Sequence, residues 1–297
     1  MSKITQALEK AARDRLARRQ ERATASSQPA VVPLAISPAP ESDERLAKTA
    51  EIDPHIISAT DPGSPIAEQY RILRTNLQAL WSRPGPKTIV VTSAVHNEGK
   101  SVTAINQALT FARQQSLRVL LVDGDLRKGS VNTWLGLRNG HLGLSSQLPN
   151  GADANQALLR LQEPPLSVLP AGPNGDHPAE LLASAEMKRL LAGLRAQFDL
   201  LLIDAPPVLP VADPAILAAQ ADGVLLVVRA GSTQRKTVER AHTLLTQAKA
   251  KLLGCVLTHF EHYLPNYYQY YHAYRREATV ADHARHAEPS QRALPLP

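Results

Sequence analysis

Residues Lys87 to Ser101 (KTIVVTSAVHNEGKS) constrain this chain more than any other stretch. Thr88 to Val91 is a β-branched run that reads as a buried strand. After it, Ala94, Glu98, Gly99, Lys100 and Ser101 fall at P-loop spacing, and VTAINQALTFARQ continues in a helical pattern. Strand, loop and helix in that order let backbone N–H groups and a helix N-terminus face phosphate oxygens. Lys100 would neutralise the β/γ oxygens, and the Ser101 hydroxyl would ligate Mg²⁺. The candidate nucleotide-binding residues are therefore Asn97, Glu98, Gly99, Lys100, Ser101 and Val102. The motif opens on Ala94 where glycine is usual, which weakens the match.

A second apolar run, RVLLVDGDLR (118–127), ends in Asp123, Asp125 and Arg127. Side chains alternate along a strand, so the two carboxylates are expected on one side near its carboxyl end. Parallel sheets bind ligands at that edge. Carboxylates there can hold Mg²⁺ through water or take a proton from an attacking hydroxyl. FDLLLIDAPPV (198–208) has the form of a Walker B strand whose Asp204 holds the metal shell, with Pro206-Pro207 ending it. LSVL (166–169), GVLLVVRAGSTQ (223–234) and KLLGCVLTHF (251–260) read as further strands. One helix over Pro178–Gln197 and another over 233–250 alternate with them. The expected fold is α/β, a doubly wound, mostly parallel sheet. Residues 138–165 read as loop.

The 297 residues leave room for appendages around one large domain. The single cysteine, Cys255, excludes a disulfide framework and a cysteine metal cluster, and fits a reducing cytoplasm. Apolar windows such as GVLLVV are far too short to cross a bilayer, and the N-terminus has no secretory apolar core. A net charge of +6 is a mild excess that could favour anionic lipid or nucleic acid, but nothing outside the N-terminus clusters strongly enough to call for either. Residues 2–22 read as a basic helical arm with a thin apolar stripe, and 23–53 as a Pro/Ala/Ser-rich flexible linker. The P-loop domain then spans 54–260. Its first long helix, IAEQYRILRTNLQALW, should bury Ile66, Tyr70, Leu73, Leu77 and Leu80. On spacing alone, Glu68, Arg71 and Arg74 read as a salt-bridged solvated face.

The tail, 261–297, holds Tyr263, Tyr267, Tyr268, Tyr270, Tyr271 and Tyr274, all but one of the chain's 7 tyrosines. Helical spacing would explain most of them as a packed face. Pro265 and the exclusive use of Tyr over Phe or Leu argue that the hydroxyl matters, in a segment expected to be mobile.

Taken together, these features resemble the bacterial tyrosine kinases (BY-kinases) of polysaccharide assembly, P-loop relatives of the MinD/ParA-type ATPases. AVHNEGKS resembles their Walker A, VLLVDGDLR their Walker A′, LLLIDAPP their Walker B, and YYQYYHAY their autophosphorylated cluster. The resemblance implies an ATP- and Mg²⁺-dependent tyrosine autokinase phosphorylating its tail between subunits. It assigns catalysis to Lys100, Asp123, Asp125 and Asp204, and metal binding to Ser101, Asp123 and Asp204. It makes Glu68-x-x-Arg71-x-x-Arg74 a subunit contact in a ring-like homo-oligomer of unphosphorylated chains. It further implies a separate membrane activator of the chain-length-determinant (polysaccharide co-polymerase) type, with the kinase cytoplasmic at the inner membrane face. Departures are His96-Asn97 for Pro-Gly, Val102 for a threonine, Lys128-Gly129 for Arg-Pro, and Thr258 for an asparagine near the adenine. The alternatives are a ParA/MinD-like switch ATPase and a nucleotide-binding scaffold weakened in catalysis.

Overall fold

The computed structural model describes residues 51–81, 84–137, 142–149, 154–173 and 175–260. The basic arm, the linker through residue 50 and the tyrosine tail lie outside the described residues.

The short apolar runs form strands β1 (Lys87–Ser93), β2 (Val119–Asp123), β3 (Leu159–Leu161), β4 (Leu166–Leu169), β5 (Leu200–Asp204), β6 (Gly223–Arg229) and β7 (Leu252–Thr258). They make one sheet in the order β3-β4-β2-β5-β1-β6-β7. All neighbours are parallel except the β3–β4 pair. The helices are α1 (Ile57–Thr60), α2 (Pro65–Ala79), α3 (Lys100–Ala112), α4 (Val131–Trp134), α5 (Leu144–Gln147), α6 (Pro178–Ala183), α7 (Ala185–Gln197), α8 (Asp213–Ala218) and α9 (Arg235–Gln247).

Strand residues are apolar on both faces because both faces are covered. On one, Ile89, Val91, Leu121, Leu202 and Val227 pack with Ile105, Leu109 and Phe111 of α3. On the other, Val90, Val122, Ile203 and Leu226 pack with Leu190 and Leu194 of α7 and Leu245 of α9. The expected doubly wound sheet is what forms. Strand order decides where its chemistry sits: β5 lies between β2 and β1, so the carboxyl ends of these three strands are neighbours.

Three expectations change. The helix over Pro178–Gln197 is two helices, because Ser184 leaves helical geometry (φ −64, ψ 162) and caps α7, its Oγ accepting from Met187 N at 3.1 Å. Residues 138–165, read as loop, hold α5 and the antiparallel edge strand β3, whose three residues are too few to show a period. The buried face assigned to α2 is also narrower than expected. Ala67 and Leu77 are buried, whereas Leu80 is 47% exposed. Ile66, Tyr70 and Leu73 line a cavity of about 650 Å³ between α2, the start of α3 and β7. No helix among the described residues is long and apolar enough to cross a membrane.

Replacing the cap at the α6–α7 break, Ser184→Ala, should cost about 0.5–2 kcal/mol. Urea unfolding should read this as a lower midpoint with an unchanged slope.

Candidate active site

The loop from β1 into α3 closes around two left-handed residues, Asn97 (φ 61) and Gly99 (φ 88). Asparagine tolerates that region better than other non-glycine residues, so the loop keeps its course without the usual glycine at 97. Ala94 does not adopt positive φ, so its methyl imposes no backbone strain. Gly99 stands as the N-cap of α3, and the first N–H groups of that helix have no intrahelical acceptor.

Glu98 sits within the loop, but its carboxylate turns inward and the residue is 1% exposed. It accepts from Val95 N at 2.8 Å, from Arg229 N at 3.3 Å and from the Thr233 hydroxyl. Its side chain therefore ties the loop to the end of β6, and only its backbone remains for a nucleotide. Thr258 braces the same turn, its hydroxyl donating to Glu98 O at 2.8 Å. Val102 and Gly99 line the cavity beside Thr258, His259 and Phe260.

Asp123 and Asp204 are register partners at the ends of β2 and β5. Asp125 lies beyond β2, so strand alternation does not orient it. A hydrogen-bonded turn does: Asp123 Oδ1 accepts from Asp125 N at 3.2 Å and Asp123 Oδ2 from Val131 N at 3.0 Å. Asp125 Oδ1 in turn accepts from Lys128 N at 3.0 Å. Gly129 lets this loop lie close to the sheet, since a Cβ there would be 2.5 Å from Ala171 Cβ. Lys100 Nζ stands 3.6 Å from both Asp125 Oδ2 and Asp204 Oδ1, and donates to Ser101 Oγ at 3.0 Å. Lys100, Ser101, Asp123, Asp125 and Asp204 are thus brought together.

Glu68, Arg71 and Arg74 are elsewhere, on α2. Glu68 pairs with Arg71, whose guanidinium also donates to Pro62 O. Arg74 donates to Thr110 O of α3 at 3.1 Å. The six tail tyrosines lie outside the described residues. Sequence reasoning missed Thr233 as a partner of the P-loop and Asp213 as a partner of Arg127. Only an Asp-Pro pair opening a helix marks the latter in the sequence.

The donor set fits a divalent cation. Asp204 is fully buried, and neither carboxylate oxygen accepts a hydrogen bond among the described residues. Three carboxylates also face one ammonium. No cluster of three or more His, Cys, Asp or Glu able to hold a metal alone occurs among the described residues.

Electrostatics reflect this crowding. Burial and the neighbouring Asp204 charge push Asp123 up to about 7. Burial also raises Asp204, against the pull of Lys100. Burial alone would lower Lys100, but the Asp204, Asp125 and Asp123 carboxylates hold it above the ordinary lysine value. A raised carboxylate keeps a proton that the unfolded chain has already lost. Stability of the nucleotide-free protein should therefore fall as pH rises from the ordinary 3.8 towards about 7. Asp204→Asn should raise the thermal midpoint of EDTA-treated protein at pH ~8, while abolishing phosphoryl transfer. Equal midpoints for the two proteins at that pH would contradict this account.

Tyrosine-protein kinase YwqD of Bacillus subtilis is 42% identical over 203 residues, covering 68% of this chain and 85% of the relative. Among solved structures, the chimerical protein CapA2B2 superposes with a TM-score of 0.65 at 32% identity, covering 71% of this chain and 93% of that one. The kinase domain of the Escherichia coli tyrosine kinase ETK gives 0.66 at 28% identity, covering 73% and 84%. No protein-family model matches the chain. The relatives favour the kinase reading over the switch-ATPase and scaffold alternatives. The ordered Walker motifs, the sheet that brings them together and these similarities lead to one conclusion: the chain belongs to the bacterial tyrosine kinases (BY-kinases), protein-tyrosine kinases built on a P-loop nucleotide-binding fold.

Proposed function

We propose that this kinase uses ATP and Mg²⁺ to phosphorylate the tyrosines of its own tail, mainly between subunits, and so regulates polysaccharide polymerisation or export. The observation that carries the reading is the meeting of Lys100, Asp125 and Asp204 around one point, with Ser101 and Asp123 beside it. Ser101 and, through water, Asp123 and Asp204 would hold Mg²⁺, which when bound supplies positive charge at the phosphoryl oxygens. Lys100 carries its ammonium on a flexible four-carbon stem, so it can exchange carboxylate partners for phosphate oxygens. Asp125 orients or takes the proton of the tyrosine hydroxyl, whose ordinary pKa near 10 demands such help at neutral pH. The cavity flanking Gly99 and Val102 offers apolar space for the nucleoside.

Tyr70 is the one tyrosine outside the tail. Burial pushes its phenol up to about 12, against the lowering effect of hydrogen bonds with Thr103 and Asn106. Glu68 and Arg71 are part-exposed on α2, and they would exchange their contact with each other and the Arg71–Pro62 O bond for groups of a neighbouring subunit. Arg74 is engaged within its own chain. The proposed assembly is a ring-like homo-oligomer of unphosphorylated chains. A separate membrane protein of the chain-length-determinant type would activate it and hold it at the inner membrane face.

Lys100→Met should abolish tail phosphorylation while the fold survives, since Lys100 is at the ligand edge rather than in the core. Phosphopeptide mapping after incubation with Mg-ATP checks it, and near-normal labelling in the folded variant would remove the mechanism. Each phosphotyrosine adds roughly −1.5 to −2 charges, so six add about −9 to −12, more than offsetting the chain's +6. Single Tyr→Phe changes should be nearly silent in assembly, whereas replacing all six should lock the oligomer. Light scattering before and after phosphorylation decides, and one substitution that reproduces the six-fold change would refute it.

A further inference from the structure

Arg127 leaves the Asp125 loop and reaches across the sheet edge to Asp213, the first residue of α8. The contact is a two-pronged fork, with Arg127 Nε to Asp213 Oδ2 at 2.7 Å and Nη2 to Oδ1 at 3.0 Å. Asp213 is fully buried, while the arginine side chain is 41% exposed. Both carboxylate oxygens are thus spent on one guanidinium. The β2–β5 register ends at Asp123 and Asp204, and past it Gly124 N donates to Asp204 O at 2.8 Å. Arg127–Asp213 is the next tie outward. It joins the loop after β2, which carries Asp125, to the segment after β5, which follows Asp204.

We infer that Asp213 is a positioning residue for phosphoryl transfer: through the Arg127 fork it fixes Asp125 relative to the Lys100–Asp204 centre. The inference rests on the proposed role of Asp125 at the acceptor hydroxyl. A planar fork removes rotation as well as translation, which a single point contact cannot do. Asp213 itself touches neither nucleotide nor acceptor. Its loss should therefore slow transfer without weakening nucleotide binding.

The test compares Asp213→Asn, Arg127→Gln, Arg127→Lys, Asp125→Asn and the Asp125→Asn/Asp213→Asn pair in the full chain. Two quantities are read: phosphotyrosine formation at saturating Mg-ATP, and affinity for a fluorescent ADP analogue. Asp213→Asn and Arg127→Gln should each lower the rate about ten- to hundredfold, the usual loss for an outer partner of a reacting group, with ADP affinity unchanged. Arg127→Lys, which keeps the charge but not the fork, should recover part of the rate. The double variant should be no slower than Asp125→Asn alone, because both changes act through one carboxylate. Arg127→Gln carries the test should Asp213→Asn fail to fold, since Arg127 is at the surface. A wild-type rate in both Asp213→Asn and Arg127→Gln, with Asp125→Asn impaired, overturns the positioning role and leaves Asp125 standing. Losses that multiply in the double variant also overturn it, as a purely structural defect would produce them. A full-rate Asp125→Asn removes the role of Asp125 itself, and this inference with it.

Discussion

One ammonium held among three buried carboxylates is the constraint on which the rest depends. Lys100 Nζ is 3.6 Å from Asp125 and from Asp204, and Asp123 is the register partner of Asp204. Burial first, and the neighbouring Asp204 charge second, oppose ionisation of Asp123 and push it up to about 7. The surrounding fold bears the cost. The sheet ladder fixes Asp123 and Asp204, backbone N–H groups engage both oxygens of Asp123, and the P-loop turn delivers Lys100. Strand order makes this possible, since β5 between β2 and β1 brings three loops to one edge without any long-range adjustment.

Much of this was legible in the sequence, for identifiable reasons. A strand buried on both faces is a run of Val, Ile and Leu, and such runs ending in Asp or a Gly-Lys-Ser turn advertise both the sheet and its ligand edge. Roles decided by tertiary partners were not legible. Glu98 sits in the loop motif, yet its carboxylate faces inward to Thr233, more than a hundred residues away. Asp125 was expected beside Asp123 by strand alternation; it arrives there through a turn that Asp123 itself organises. The apolar positions of α2 suggested a full core face, but the helix meets α3 along a narrow seam and leaves Ile66 and Leu73 in a cavity. Ser184 looked like a helix interior, although serine bonds readily to nearby backbone and can begin a new helix.

The departures from the family P-loop follow one pattern. At the two positions where glycine is usual, Asn97 takes a positive φ and Ala94 needs none. Hydroxyls and amides near the nucleoside are handled differently. Val102 offers no hydroxyl, and the Thr258 hydroxyl is spent on Glu98 O. In the proposed placement of the nucleotide, fewer free hydroxyls remain beside the nucleoside, so binding would rest more on the phosphates and the metal.

That distribution of charge bears on how the proposed cycle ends. Burial and the Asp204 charge push Asp123 up to about 7, and burial raises Asp204 as well, so the site without nucleotide is not fully ionised at neutral pH and grows more anionic as pH rises. In the proposed cycle, a phosphorylated tail would meet repulsion from the empty site that grows with pH, in addition to repulsion by bound nucleotide phosphates. An unphosphorylated tail is neutral over 261–277, where Arg275 and Arg276 balance Glu261 and Glu277. It meets no such barrier. In the proposed mechanism, the carboxylates assigned to metal and tyrosine would thus also favour exchange of a phosphorylated tail for an unphosphorylated one.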